Sequence, residues 1–253
     1  CKENNCLPEV VVWHELSDQS IYWMESNFNG YYSICEELGI ERLPVCISEY
    51  GLMSTNGIPG ESVKWIQRIE KHDAYGCVAY WRLANNLNDT AADDNSPNSN
   101  WWLYRWYADM EGSLLKGKTI DILHADFANV IKYGYKKFHY SGFTALASLA
   151  DNKDKIDVIC GGADYTASLI LKNLDETNLG QKLDIRIEAI YFEGISGVVS
   201  KPYLVHEYTD TASLGKLKIK LENPDPTAVY HIVVAPSDGK NSPSQPLPVR
   251  YEF

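Results

Sequence analysis

Leu43-Pro44-Val45-Cys46-Ile47-Ser48-Glu49-Tyr50-Gly51 is a short apolar run that ends abruptly on a carboxylate, an aromatic ring and a glycine. A run of this length, made of β-branched and small residues and bounded by loop signals, is typical of a buried strand. Strands of a parallel sheet are apolar on both faces, as Val45, Cys46 and Ile47 are here. Because α/β folds place their chemistry at the carboxyl ends of such strands, Glu49 is a candidate catalytic residue. The competing interpretation is a strand-end glutamate that simply faces water.

Two comparable runs flank this strand in the sequence. The earlier one spans residues 10–13 and is followed by His14 and Glu15, and the later one contains the pair Trp81-Arg82. If the three runs are neighbouring parallel strands, their carboxyl ends meet at one edge of the sheet. The sequence therefore predicts a polar and aromatic site at that edge.

Segments with a helical period lie between the three runs. Apolar residues recur at three- and four-residue steps from Ile21 to Leu38, and Gly39 then supplies a helix stop. A second helix is predicted from Ser62, and a third over residues 101–111, whose row of Trp side chains is expected to serve packing. This alternation of strands and helices predicts an α/β unit, a parallel sheet with crossover helices.

The pattern changes after a linker at residues 112–118. Short runs with one apolar and one polar face replace the helical periods, and turn signals separate them. They predict an antiparallel, all-β sandwich over residues 116–253, preceded by an α/β domain over residues 1–115. The runs lie at residues 143–149, 155–160, 167–172, 183–190, 216–221 and 229–234.

Composition excludes several classes of function. The chain has 253 residues with a net charge of −11, so nucleic acid and anionic membranes are poor partners. No uninterrupted apolar run reaches the length of about 18 residues that a transmembrane helix needs. No Cys/His spacing matches a zinc site, and neither a metal nor a cofactor is predicted. Cys46 and Cys77 are predicted to be small buried side chains, and pairing of Cys1 with Cys6 is left open.

The three strand ends, in order and with helical spacers, resemble the last three βα units of a (β/α)8 glycoside hydrolase of the retaining superfamily called clan A. Ile47-Ser48-Glu49-Tyr50-Gly51 is similar to the seventh-strand motif of that group, which ends in the catalytic nucleophile. Trp13-His14-Glu15 resembles its sixth strand, and Tyr80-Trp81 resembles the eighth, whose Trp often forms a floor under the sugar. The resemblance covers the first 115 residues or so, and the rest only as a type of domain. The accessory region that follows suggests the β-xylosidase and iduronidase-like branch.

The resemblance implies that Glu49 is the catalytic nucleophile. The nucleophile has to stay ionised, and nearby donors or cations such as His14 and Arg82 favour that state. The residues expected to bind substrate are His14, Glu15, Tyr50, Trp81 and Arg82.

The strand end Trp13-His14-Glu15 also resembles the fourth strand of clan A, where an Asn-Glu pair carries the general acid. His14 stands where that pattern has Asn. The two catalytic strands of clan A are three βα units apart at ~30 residues each, whereas Glu15 and Glu49 leave room for one helix. We therefore do not expect Glu15 to be the acid.

No second strand-end carboxylate is convincing as a general acid, although a retaining glycosidase needs one. The chain also opens on Cys1 and holds only three of eight βα units. We expect the C-terminal part of a longer hydrolase, inactive alone, that acts on a carbohydrate substrate. Its sheet needs the missing N-terminal half of the barrel or self-association. The alternatives are a non-catalytic carbohydrate-binding protein that uses its aromatic surfaces, and a structural or adhesion fragment.

Overall fold

The computed structural model describes residues 1–79, 90–92, 95–117 and 142–239. Two regions are present: a parallel sheet with helices in the first part of the chain, and a region of antiparallel sheets, here called the β region, from Ser113 to Gly239. Among the described helices, none combines the length and apolar character needed to cross a membrane.

The parallel sheet has the strand order β1-β2-β3, and both strand pairs are parallel. This confirms the predicted strand–helix alternation, with Glu49 near the carboxyl end of the central strand. The elements are β1 (Val11–Glu15), α1 (Ser20–Leu38), β2 (Val45–Tyr50), α2 (Pro59–Lys71), β3 (Tyr75–Val78) and α3 (Ser99–Ala108), after a short 3-10 helix at Lys2–Asn4.

Helix α1 forms where the apolar period predicts it and covers one face of the sheet. Met24, Phe28 and Cys35 are buried, and the edge of the Trp13 ring of β1 packs on Phe28 with centroids 5.0 Å apart. Gly39 ends the helix in the left-handed conformation, with φ at 59°, and its N–H bonds the last turn. The core between α1 and the sheet therefore follows directly from sequence.

Helix α2 begins three residues before the predicted Ser62. Pro59 occupies the first turn, where its fixed φ suits a helix and its missing N–H costs nothing. The prediction placed this proline in the preceding loop. The helix thus reaches further towards the β region than the apolar period alone indicates.

The β region contains a six-stranded antiparallel sheet of order β4-β5-β6-β11-β8-β9 and a two-stranded sheet of β10 and β7. All six predicted runs are strands, whereas β4 and β9 were missed. The elements are β4 (Ser113–Leu114), β5 (Thr144–Leu149), β6 (Ile156–Gly161), β7 (Ala167–Leu171), β8 (Lys182–Ile190), β9 (Tyr203–Thr211), β10 (Leu217–Leu221) and β11 (Val229–Pro236), with a 3-10 helix at Leu174–Glu176.

One hydrophobic core joins the two sheets of the β region. Val158 and Ile185 from the larger sheet are fully buried in the same cluster as Leu171 and Ile219 from the smaller one. Alternation of apolar and polar residues along the strands turns one face of each sheet to this core. The sandwich class of this region, the barrel origin of the parallel sheet and the boundary at residues 115/116 stay predictions.

A second apolar cluster lies between the helices of the first part of the chain and the β region. It consists of α2 and α3 residues together with residues of the larger sheet: Val63, Ile66, Leu103, Trp106, Leu146, Ile159, Ile190 and Val229. The two backbones also touch, because the Gly60 N–H donates to the Thr227 carbonyl at 2.9 Å. A Cβ added at Gly60 would lie 2.3 Å from the Pro226 carbonyl oxygen, so only glycine permits this approach.

Candidate active site

Glu49 and His14 face each other across the first two strands. The register pairs them directly, after an irregularity between Trp13 and His14. The His14 Nδ1 atom lies 3.4 Å from the Glu49 Oε2 atom, and the two side chains are 53% and 43% exposed. The predicted neighbours therefore meet at the carboxyl edge of the sheet and remain open to a ligand. When Nδ1 carries a proton, the imidazole can donate it to the carboxylate.

Tyr50 follows Glu49 and points to the opposite face of β2. Its ring is buried against Trp65, with centroids 5.8 Å apart, and its hydroxyl lies 3.0 Å from the Tyr104 hydroxyl. Burial, reinforced by Tyr104, raises the pKa of Tyr50 well above its usual value. Tyr50 thus lies in the core behind the site, and its predicted contact with substrate stays a prediction.

Glu15 is a buried carboxylate, only 2% exposed. Its Oε1 atom accepts hydrogen bonds from the Trp13 indole N–H and from the Asn27 amide, both at 2.8 Å. Two donors compensate for the water that the carboxylate loses on burial. These bonds tie β1 to α1 and give Glu15 a place in the packing, while its predicted substrate contact stays untested.

Trp81 and Arg82 lie outside the described residues, as do Tyr80 and most of the Asn/Asp-rich stretch that follows. The described chain reaches Ala79, whose N–H donates to the Tyr50 carbonyl at 2.8 Å. The chain therefore leaves β3 beside the end of the strand that carries Glu49. The roles predicted for Trp81 and Arg82 stay predictions.

The sheet face that carries His14 and Glu49 is uncovered within the described residues. Val12, Tyr75 and Cys77 are exposed on it, and Cys46 is half-buried. The prediction that both cysteines are buried is therefore wrong for Cys77, because it assumed a covering layer on each face of the sheet. Burial raises the pKa of the Cys46 thiol, and the adjacent Cys77 thiol raises it further.

Cys1 and Cys6 are free, exposed thiols, so the structure contains no disulfide between them. Among the described residues, no cluster of three or more His, Cys, Asp or Glu side chains could hold a metal ion. Within this part of the chain, the chemistry available at the sheet edge is that of a carboxylate and an imidazole.

A cavity of about 830 Å³ is lined by residues at the amino ends of β2 and β3 and by Tyr50 at the carboxyl end of β2. Its walls include Tyr75 and Gly76 from the unpaired edge of β3, Ile69 from α2, and Tyr104 and Tyr107 from α3. The cavity could not be predicted from the sequence, since apolar periodicity does not indicate which strand edge lacks a neighbour. The cavity marks a second place where the parallel unit lacks a covering layer.

The sequence of this chain is similar to those of two characterised glycosidases. Over 93% of its length the chain is 30% identical to a 3-O-alpha-D-galactosyl-alpha-L-arabinofuranosidase of Bifidobacterium longum subsp. longum. Over the same share it is 28% identical to a 3-O-beta-L-arabinopyranosyl-alpha-L-arabinofuranosidase of Bifidobacterium pseudocatenulatum. Its homologues are glycoside hydrolases. The chain spans 20% and 24% of the lengths of these two curated relatives.

The fold also has a counterpart among solved structures. The structure of N2152 from Neocallimastix frontalis aligns with a TM-score of 0.79 at 25% identity, over 93% of this chain and 55% of that one. No family model matches the chain. These similarities confirm the predicted resemblance at the level of glycoside hydrolases. Both named relatives are arabinofuranosidases, and the β-xylosidase and iduronidase-like branch stays a prediction.

Proposed function

We propose that this chain forms the C-terminal part of a retaining glycoside hydrolase in which Glu49 is the nucleophile. The observation that carries the proposal is the pairing of Glu49 with His14 at the carboxyl edge of a parallel sheet, with both side chains open to a ligand. Homology to glycoside hydrolases supplies the reaction class. Of the two strand-end glutamates described at this edge, Glu49 is accessible and Glu15 is buried.

In this mechanism the Glu49 carboxylate attacks the anomeric carbon of the sugar. The bond from that carbon to the leaving oxygen breaks, and a general acid protonates the oxygen. Water then hydrolyses the glycosyl ester on Glu49, so two inversions retain the configuration. The His14 imidazole donates to the carboxylate or to a sugar hydroxyl and holds either in place. Trp81 lies under the sugar ring and Arg82 completes the site, while Tyr50 supports β2 from the core behind it.

The general acid comes from further βα units of the same protein, which close the parallel sheet into a clan A barrel. Glu15 does not compete for this role, because its side chain is only 2% exposed and its Oε1 atom already accepts from Trp13 and Asn27. Three features support closure: unpaired edges on β1 and β3 of the described sheet, the uncovered face with Val12 and Tyr75, and the cavity beside β3. Closing a barrel pairs such edges and fills its interior with side chains.

Helix α1 provides independent support for a preceding βα unit. Its exposed apolar residues Trp23, Ile34 and Leu38 share one face with Asn27, whose amide reaches Glu15 at the free edge of β1. Glu25 and Tyr32, by contrast, contact His72 at the end of α2. Trp23, Ile34 and Leu38 therefore lie on the side of α1 that faces away from α2. A helix that precedes β1 would pack on that side.

The substrate class that we propose is an α-L-arabinofuranoside substituted at its 3-oxygen by a second sugar. The names of the two curated relatives support it, since each joins an arabinofuranosidase activity to a different 3-O-linked sugar. The proposal covers the arabinofuranosyl unit and leaves the second sugar open.

The test uses the complete protein and a 2-fluorinated arabinofuranosyl inactivator with a good leaving group. The inactivator should form a stable ester that peptide mapping locates on Glu49. Glu49→Gln should abolish labelling and turnover, while Glu36→Gln, a change at an exposed carboxylate of α1, should preserve both. An ester on another residue would refute the nucleophile assignment. Sugar binding without turnover would favour the carbohydrate-binding alternative.

A further inference from the structure

The two-stranded sheet of β7 and β10 turns a face of lysine side chains to solvent. Along β10, Leu217, Ile219 and Leu221 are buried in the core of the β region, and the residues between them point the other way. The antiparallel register places Lys218 of this outer face opposite Ile170 of β7. The exposed residues of this face and of the positions that continue its alternation, here called the lysine face, are Ser168, Ile170, Lys172, Lys216, Lys218 and Lys220.

The lysine face is positive in a chain that is negative overall. The chain carries a net charge of −11, yet residues 167–172 and 216–221 contain four lysines and no acidic residue. Side chains on one face of a strand repeat every two residues, about 7 Å apart. Like charges at neighbouring positions of a sheet repel each other. An anion bound across the face would remove that repulsion.

Carboxylates lie at the two ends of the lysine face. The Glu222 carboxylate pairs with the Lys220 Nζ atom at 2.6 Å, just after β10 ends. Before β10 begins, a Cβ on Gly215 would lie 2.2 Å from the Asp175 Oδ1 atom. The lysines that form no ion pair with any described carboxylate are Lys172, Lys216 and Lys218. Their ammonium groups are therefore available to a ligand.

The form of the lysine face favours a long ligand over a small ion. Its side chains are exposed, and a single exposed ion pair contributes little. A polymer with charges on several of its units engages the lysines together, so that weak contacts combine. The face contains Lys and no Arg, and a lysine is a point charge that does not impose a planar geometry on its anion. The lysine face is therefore suited to a flexible polyanion.

A single polysaccharide chain fits these surroundings better than other polyanions. A membrane surface or a nucleic-acid duplex extends beyond the face and meets the acidic remainder of the chain, which repels it. Ile170, 51% exposed, and Ser168 lie on the face with the lysines and offer an apolar surface and a hydroxyl to a sugar. The homologues are glycoside hydrolases, which indicates carbohydrate as the class of ligand. The charged groups of such a polymer are the carboxylates of uronic acid units.

We propose that the lysine face binds a carboxylated polysaccharide. Strands β7 and β10 form this binding surface, whereas Glu49 belongs to β2. The face holds the protein on a polymer and so raises the concentration of its arabinofuranosyl units around Glu49. The choice of a polysaccharide rests on the proposed function. The binding of a polyanion to the lysine face does not depend on it.

The first test measures binding of the 253-residue chain to polygalacturonate, with the fully methyl-esterified polymer as its neutral counterpart. The chain should bind the acidic polymer and not the ester. The Kd should rise about tenfold between about 50 mM and about 200 mM salt, because binding to several lysines releases counterions from the polymer.

Lys172→Gln/Lys218→Gln should weaken binding to polygalacturonate about tenfold and reduce its dependence on salt. The matched control is Lys116→Gln/Lys201→Gln, which removes two exposed lysines from other parts of the chain and changes the net charge equally. The control pair should bind as the wild type does.

Equal binding of the methyl ester, or an equal loss in the two pairs of substitutions, would overturn the proposal. Tighter binding to phosphatidylserine vesicles than to polygalacturonate would also overturn it, because the ligand would then be a membrane surface.

The second test uses the complete protein and a carboxylated polysaccharide that bears arabinofuranosyl side chains, compared with the same polymer after reduction of its carboxyl groups. Lys172→Gln/Lys218→Gln should lower kcat/KM on the acidic polymer about tenfold, through a higher KM. Turnover of 4-nitrophenyl α-L-arabinofuranoside should not change. An equal loss on the reduced polymer would contradict recognition of the carboxylates.

The two tests separate this inference from the proposed function. A wild-type protein that turns over neither the polymer nor the aryl glycoside would refute the proposed function. The binding measurement would still decide whether the lysine face takes a polyanion, since it requires no catalysis.

Discussion

The Nζ atom of Lys64 lies 2.7 Å from the Oε1 atom of Glu61, one turn away on α2, and the lysine side chain is only 1% exposed. Burial lowers the pKa of this lysine, and Glu61 opposes that shift. The pair sits where α2 meets the β region, since a Cβ on Gly162 would come within 2.4 Å of the Lys64 side chain. A buried charge thus depends on a partly exposed carboxylate.

Glu61→Gln should destabilise the chain by about 2–3 kcal/mol, because it weakens compensation of a buried positive charge. Urea denaturation of the 253-residue chain measures the change. Glu36→Gln is the control: its carboxylate pairs with Arg42 at 2.9 Å on the surface, and the loss should be about 0.5 kcal/mol or less. Equal effects from both substitutions would show that the Lys64 charge is compensated by other means.

Gly60→Ala should cost about 2–3 kcal/mol, because its methyl group would overlap the Pro226 carbonyl oxygen. Gly30→Ala is the opposite case, since Gly30 lies in α1 with nothing within 4 Å of an added Cβ. It should stabilise the chain by about 0.5–1 kcal/mol through helix propensity. The same denaturation measurement distinguishes the two. A neutral Gly60→Ala would mean that the two regions separate easily.

His72 predicts a dependence of stability on pH. Its ring stacks on Phe28 with centroids 3.9 Å apart, and burial lowers its pKa, with Glu25 opposing. A folded-state pKa below the unfolded one favours the neutral ring. The free energy of unfolding should therefore be highest above the usual histidine pKa of about 6.5 and should fall as pH decreases towards the folded value.

His72→Gln should flatten this dependence in denaturation curves collected between about pH 5 and pH 8. Glu25→Gln should steepen it, because the carboxylate that keeps the pKa of His72 from falling further is removed. A free energy of unfolding of the wild-type chain that stays constant over this pH range would contradict a lowered pKa of His72.

The 253-residue chain should not hydrolyse aryl arabinofuranosides, because the proposed general acid lies in other βα units. Glu49→Ala should change its stability by no more than about 0.5 kcal/mol, as expected of a half-exposed side chain. If the chain shows turnover and Glu49→Ala abolishes it, the general acid does not lie in other βα units. Glu15 would then be the next candidate for that acid.

The order and direction of the first three strands could be predicted because continuous apolar runs alternated with helical periods. Strand β9 could not, since exposed Tyr203 and Leu204 begin it and no clean alternation marks its edge position. Cys77 was misplaced for a related reason. The prediction assigned a covering layer to each face of the sheet, and the face below Glu49 has none among the described residues.

Part of the candidate site followed from the same reasoning. The meeting of Glu49 and His14 could be predicted, because neighbouring parallel strands end at one edge. The hydrogen bonds of Ser99 to the Tyr191 carbonyl and the Glu193 N–H could not, since they join polar groups 92 and 94 residues apart and leave no periodic trace in the sequence. The burial of Glu15 likewise depends on donors that only the packed helix brings together.

The apolar cluster shared by α2, α3 and the larger sheet has a consequence for protein engineering. Exchanging the C-terminal region between related enzymes at the change of sequence pattern would cut through a hydrophobic core and leave Leu146, Ile159 and Val229 against foreign helices. The natural unit of recombination includes α2 and α3. A chimaera that carries both helices together with the β region keeps the contact of Gly60 with Thr227, the Lys64–Glu61 pair and the native apolar interface between the two regions.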